Sequence, residues 1–266
     1  MTNQLMNRYS FISHGAPTMV LDHQRGAIYS EWSQKSWPER SPELVLVVSA
    51  HWETPDLALG TDETRDLIYD FYGFPEELYR ISYPAPGSPH GRKSLKEFLE
   101  SEGLKPELSD RGWDHGVWTP LYWLFPGRNV PVLQVSLPRW PAERLFELGR
   151  SLSRWMKSQQ SVWLIGSGGL THNLGAIDFS GRMPVPEPMH QFQNFVKERL
   201  ENGQLEELIE FKEKAPHASL NHPSPEHFLP LIVVAGAAHE TGGLKPEYPL
   251  DGFELGSLSK TSIDFV

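Results

Sequence analysis

The chain has 266 residues, 39% hydrophobic and 22% charged, a composition that allows a sizeable globular core and matches neither a disordered nor a membrane protein. A formal net charge of −10 with no basic run excludes the electrostatic footprint of a nucleic-acid binder. Cysteine is absent, which excludes disulfides, iron–sulfur clusters and thiolate chemistry and leaves His, Asp or Glu to hold any metal.

In chain order, short apolar runs predict strands at Tyr9 to Ile12, Leu44 to Ala50, Pro131 to Leu137 and Ser161 to Ile165. Helical periodicity falls between and after them, in "GRKSLKEFLESEG", "PAERLFELGRSLSRWMKSQ" and "MHQFQNFVKERLENG". In the second of these, Leu145, Phe146, Leu148, Leu152, Trp155 and Met156 form one apolar stripe. The stretch "FYGFPEELYRISYPAPGSP" carries prolines and aromatics without a period, which predicts a long ordered loop of the kind that covers sites. No linker or repeat divides the chain. The expectation is an α/β fold, a central mostly parallel or mixed sheet flanked by helices on both faces, as a single domain over 1–266. The start "MTNQLMNRYSFISHG" has no leader pattern, and no window approaches the roughly 18 apolar residues of a membrane span. A soluble, cytoplasmic protein without membrane partners is expected.

The sequence holds 11 histidines, and three of them stand where strands hand over to loops. His14 follows "YSFIS", His51 follows "LVVSA", and His172 follows "VWLIGSGGLT", whose glycines permit a tight turn or a close backbone approach. Sheets of this class bind ligands beyond the carboxyl ends of their strands, so all three can converge on one crevice. In "NHPSPEHFLPL", Ser224 reads as an N-cap, Pro225 as the first helical residue, and Glu226 and His227 as its first turn, whose positive end keeps an imidazole neutral and able to coordinate. Spacing alone leaves open whether Glu226 or His227 is the ligand. His115 in "GWDHGVWTP" reads as a loop residue between Trp113 and Trp118, a pocket in which Trp118 stacks an aromatic substrate and His115 donates a hydrogen bond to it. His23, His90, His190, His217 and His239 read as surface residues, and His222 stays undecided.

Seven pieces in order, "SHGAPTMVL", "VVSAHWET", "YDFYGFPEELYRISYPAPGSP", "WDHGVWTPL", "GSGGLTHNL", "NHPSPEHFLPL" and "GFELGSLSKTSIDF", resemble the class III extradiol ring-cleavage dioxygenases, in the branch similar to 4,5-DOPA dioxygenase. The resemblance covers nearly the whole chain. It implies one divalent metal ion per chain, Fe(II) for activity, with His14, His51 and His227 as ligands and His172 near enough to join them. It also implies His172 as acid/base, His115 as a substrate contact, and a small catecholic substrate with O₂ as partners. An all-imidazole ligand set equally suits Zn(II). The competing expectation is therefore a zinc-dependent hydrolase on the same histidines with Glu226 as base. A non-catalytic relative would have lost some of the five histidines, and all five are present. Oligomeric state is not legible.

Overall fold

The first predicted strand forms as β1 (Arg8–Ser13) and the second as β2 (Leu44–Thr54), in a computed structural model that describes residues 7–180, 182–243 and 245–266. Residues 1–6, on which part of the reading of the N-terminus depends, lie outside the described residues. The remaining strands are β3 (Ala58–Leu59), β4 (Glu107–Leu108), β5 (Val132–Pro138), β6 (Val162–Gly168), β7 (Pro246–Leu250), β8 (Phe253–Glu254), β9 (Leu258–Ser259) and β10 (Ser262–Phe265). Eight of them build one sheet in the order β4-β3-β5-β2-β6-β1-β10-β7, while β8 and β9 pair separately.

The four strands read from the sequence are the parallel centre, β5-β2-β6-β1. Their residues are apolar at successive positions because helices cover both faces. Leu44, Leu46 and Val48 of β2 join one core cluster, whereas Val45 and Val47 join the other. The edge strands are short or polar and lack that signature. β10 lies antiparallel to β1 and to β7, which makes the sheet mixed.

On one face lie α2 (Pro89–Ser101), α4 (Ala142–Met156), α5 (Glu187–Glu201) and, after the short helices α6 (Leu205–Ile209), α7 (Phe211–Lys214) and α8 (Ala218–Asn221), the fully apolar α9 (Leu229–His239). On the other lie α1 (His23–Ser36) and α3 (His115–Leu124). The predicted stripe of α4 is buried at every one of its six positions. Neither α1 nor α3 was legible: α1 mixes polar and apolar residues without a clean stripe, and α3 is a nearly continuous apolar run. Among the described residues no helix is long and apolar enough to cross a membrane.

Because β6 lies between β1 and β2, chain order reverses across the three strands whose carboxyl ends carry or precede His14, His51 and His172. A crevice opens at such a reversal. The expected loop runs from Gly60 to Ser88 with only a 3-10 turn at Glu76–Arg80. It is pinned by Tyr69 Oη donating to the Ile81 carbonyl at 2.6 Å and Ile68 N donating to the Trp113 carbonyl at 2.8 Å.

Candidate metal centre

His14 is the first residue beyond β1 and is buried. His51 departs from expectation, because β2 continues past it to Thr54. The pairing of β2 with β6 stops at Ser49, and its register against β5 shifts between Val48 and Glu53, so His51 lies in an irregular stretch that re-aims side chains. His227 also departs from expectation. It sits in a turn ahead of α9, which starts at Leu229, and Ser224 caps no backbone N–H but donates its hydroxyl to Glu226 Oε1 at 3.1 Å. The turn is held by Phe228 N on the Pro225 carbonyl (2.9 Å) and by Gly169 N on the His227 carbonyl (2.9 Å). Gly168 is required there, because a Cβ on it would stand 2.1 Å from the His227 carbonyl oxygen. The close approach expected of the "GSGGL" glycines is thus made to the third histidine.

These elements bring the ligating atoms of His14, His51 and His227 within 4.8 Å of one another. Each ring is oriented from behind through Nδ1. Ser167 Oγ donates to the Gly116 carbonyl and so accepts from His14 Nδ1 at 2.9 Å. Asp70 Oδ2 faces His51 Nδ1 at 3.1 Å, and Glu226 Oε1 faces His227 Nδ1 at 2.9 Å. With every Nδ1 proton given to an oxygen, every Nε2 carries a lone pair toward the centre. The His14 and His51 Nε2 atoms are 3.1 Å apart with no proton between them in these tautomers, and His227 Nε2 is buried without a partner. Burial first, then the neighbouring imidazoles, holds the pKa values of His14 and His227 well below the usual histidine value, so protonation does not relieve the crowding. Converging lone pairs on three imidazoles fit a divalent cation.

His115 is the first residue of α3 rather than part of a loop. Its ring lies 4.0 Å from that of His51, centroid to centroid, and its Nδ1 donates to Asp70 Oδ1 at 2.7 Å. Asp70 also accepts the His115 backbone N–H at 3.2 Å. One carboxylate thus holds a candidate ligand and a candidate substrate contact together, and its own pKa lies far below the ordinary carboxylate range through those imidazole bonds, which outweigh its desolvation. His115, its pKa lowered by burial and by His51, is neutral with its proton on Nδ1, so its Nε2 accepts a hydrogen bond. This reverses the expected direction of its contact. Nothing periodic in the sequence pointed to Asp70, an acid inside an aromatic loop, or to Ser167, a polar residue inside a buried strand.

His172 stacks on His227, with centroids 3.4 Å apart and planes within 5°. One ring nitrogen of His172 lies within 4.8 Å of ligating atoms of both Glu226 and His227, the placement expected of a residue near enough to join the metal set. Its ring lines the cavity, and burial, followed by His222 and His51, pushes its pKa down to about 4. Trp118 does not meet expectation. It is fully buried behind Phe71, with Nε1 on the Ile68 carbonyl, and the cavity wall is made by Phe71. His222 is buried against Phe192, Phe211 and Phe228 and bonds the Leu170 carbonyl at 2.8 Å, away from the cavity. The five remaining histidines are exposed, as expected.

The cavity over the histidines measures about 680 Å³ and is lined by His14, His51, His115, His172 and His227 together with an aromatic and aliphatic wall. Such a volume suits a small organic ligand. The family described as the catalytic LigB subunit of aromatic ring-opening dioxygenase matches residues 9–265. The chain is 35% identical over 264 residues to a protein of Beta vulgaris named 4,5-DOPA dioxygenase extradiol, covering 96% of this chain and 95% of that one. It is 34% identical to a protein of the same name from Escherichia coli, covering 95% of this chain and 92% of that one. A solved structure of an uncharacterized Escherichia coli K12 protein superposes with a TM-score of 0.79 at 30% identity, over 97% of this chain and 99% of that one. From its ninth residue almost to its end, the chain belongs to the family of the catalytic LigB subunit of aromatic ring-opening dioxygenases.

Proposed function

We propose that this chain is a metal-dependent extradiol dioxygenase that opens the ring of a small catechol with O₂, on one divalent ion held by His14, His51 and His227. The observation that carries the reading is the set of three Nε2 lone pairs, each Nδ1 proton already given away, pointing at one another on the floor of an aromatic-lined cavity. When bound, Fe(II) supplies Lewis acidity toward the catechol oxygens and the redox partner that O₂ requires. Zn(II) fits the same imidazoles but has no accessible redox change.

The protein's own residues do the remainder. His172, neutral near neutral pH and facing the cavity, takes the proton of a catechol hydroxyl at a ring nitrogen and returns it when the O–O bond breaks. His115 accepts the hydrogen bond of the second hydroxyl at Nε2, and Asp70 fixes the tautomer that lets it do so. The apolar wall excludes water from the ring being opened. Glu226, the base of the hydrolase alternative, holds His227 through Oε1, which makes it an orienting carboxylate.

The test is oxygen uptake after anaerobic reconstitution with Fe(II), with Zn(II) as the control, over a catechol panel that includes DOPA. Uptake with iron alone, accompanied by a yellow ring-opened product, is expected. No uptake with any catechol, from protein shown to hold iron, would refute the reading in favour of the zinc hydrolase.

A further inference from the structure

The backbone of His51 is held by side chains and not by the sheet. β2 leaves β6 after Ser49 and regains register with β5 only at Glu53, so His51 lies outside the ladder of pairs. Its N–H donates to Ser49 Oγ at 3.2 Å, and its carbonyl accepts from Arg111 Nη2 at 2.9 Å. A backbone group that leaves a ladder needs such partners, and here both lead to one residue. Ser49 donates its own hydroxyl to Asp114 Oδ1 at 2.7 Å, and Arg111 Nη2 lies 3.5 Å from Asp114 Oδ2.

Asp114 is fully buried, and its Oδ2 also accepts from Gln134 Nε2 at 2.7 Å. An aspartate just ahead of a helix ordinarily accepts a backbone N–H of the first turn. The Asp114 side chain caps none of the α3 donors and is turned instead to β2 and β5. The two residues that follow act on the same centre. His115 shares Asp70 with the His51 ring, and the Gly116 carbonyl accepts from Ser167 Oγ, which orients His14. A Cβ on Gly116 would stand 2.4 Å from Ser49 Oγ and 3.1 Å from His51 Cδ2, so the start of α3 presses directly on this stretch of β2.

We infer that Asp114 is a positioning residue for the metal centre, fixing the backbone of His51 through Ser49 and Arg111 so that the imidazole keeps its aim. The inference rests on the proposed ion at His14, His51 and His227, and not on the reaction carried out there. Removing a group that orients a metal ligand weakens metal binding roughly ten- to hundredfold.

The experiment takes Asp114→Ala, Ser49→Ala, Arg111→Met and the double variant Asp114→Ala/Ser49→Ala. Zn(II) affinity is read by competition with a chromophoric chelator, coordination geometry by the visible bands of the Co(II)-loaded proteins, and stability by denaturation of the metal-free forms. Each single substitution is expected to weaken Zn(II) binding roughly tenfold or more and to move the Co(II) bands. The double variant should bind no worse than Asp114→Ala alone, because both changes break one path. Folded variants within about threefold of wild type with unmoved Co(II) bands, or losses that add in the double variant, overturn the inference. Should Asp114→Ala not fold, Ser49→Ala, which loses one oxygen, and Arg111→Met, at a partly exposed side chain, decide it by the same readings. Wild-type protein that binds neither ion would sink the metal site and the inference with it, whereas unaltered binding by the variants sinks the inference alone.

Discussion

Replacing Asp70 with asparagine changes one oxygen to an amide nitrogen and keeps the size of the side chain. In the native protein Oδ1 receives His115 Nδ1 at 2.7 Å and its backbone N–H at 3.2 Å, while Oδ2 receives His51 Nδ1 at 3.1 Å. The single oxygen of the substituted amide satisfies the two donors of His115, and its NH₂ then confronts the Nδ1–H of His51, donor against donor. His51 escapes by moving its proton to Nε2, which removes a lone pair from the metal set. A hydrogen bond to a charged acceptor is worth about 1.5–3 kcal/mol. Asp70 keeps 23% exposure, which favours the lower half of that range, and at about 1.4 kcal/mol per decade the expected loss is roughly ten- to thirtyfold in metal affinity. Competition of wild type and Asp70→Asn for Zn(II) against a chromophoric chelator measures it directly. A dissociation constant within about threefold of wild type would show that the carboxylate does not set the His51 tautomer.

Three further outcomes follow from the same geometry. His51→Ala is expected to lose both metal and turnover, whereas His172→Ala keeps the metal and loses turnover, checked by metal analysis alongside oxygen uptake; full activity in His172→Ala would remove its acid/base role. Gly168→Ala places a methyl group 2.1 Å from the His227 carbonyl oxygen, and the forced backbone shift should destabilise the protein by about 1–3 kcal/mol and weaken metal binding, as read by chemical denaturation and the chelator assay. An unchanged denaturation midpoint would contradict the close approach. Burial pushes the His222 pKa from 6.5 down to about 4 against the opposing pull of the Leu170 carbonyl and Glu226. Between those values the unfolded chain takes up a proton that the folded chain does not, so stability falls as pH falls through that window, by about 3 kcal/mol over its whole span. In metal-free protein, His222→Gln retains a donor for the Leu170 carbonyl and should flatten that acid slope by about one proton; an unaltered slope between about pH 4.5 and 6.5 would place the titration elsewhere.

The sequence determined the parts of this protein that are local. The central parallel strands could be read because burial on both faces makes them continuously apolar, and α4 because one buried face repeats at helical spacing. The chemistry-bearing residues stood out for the same reason: histidines just past apolar runs are legible as strand-end side chains, and the order of seven motifs indicated the family. The tertiary structure decided what depends on partners distant in the chain. The strand β10, between β1 and the edge strand β7, pairs with β1 across about 250 residues, and its short, partly polar sequence carries no trace of that. Trp118 and Phe71 exchange places on the cavity wall because α3 turns the indole into the core, a choice made by packing and not by residue type. Asp70 reaches His51 and His115 only because the loop from Gly60 to Ser88 folds over the carboxyl ends of the strands, and His172 comes to lie parallel to His227 only because the turn ahead of α9 packs against the end of β6. Residue types and periodicity are properties of short stretches; tautomers, stacking and the facing of one carboxylate to two rings are long-range geometry, which exists only once the chain has closed.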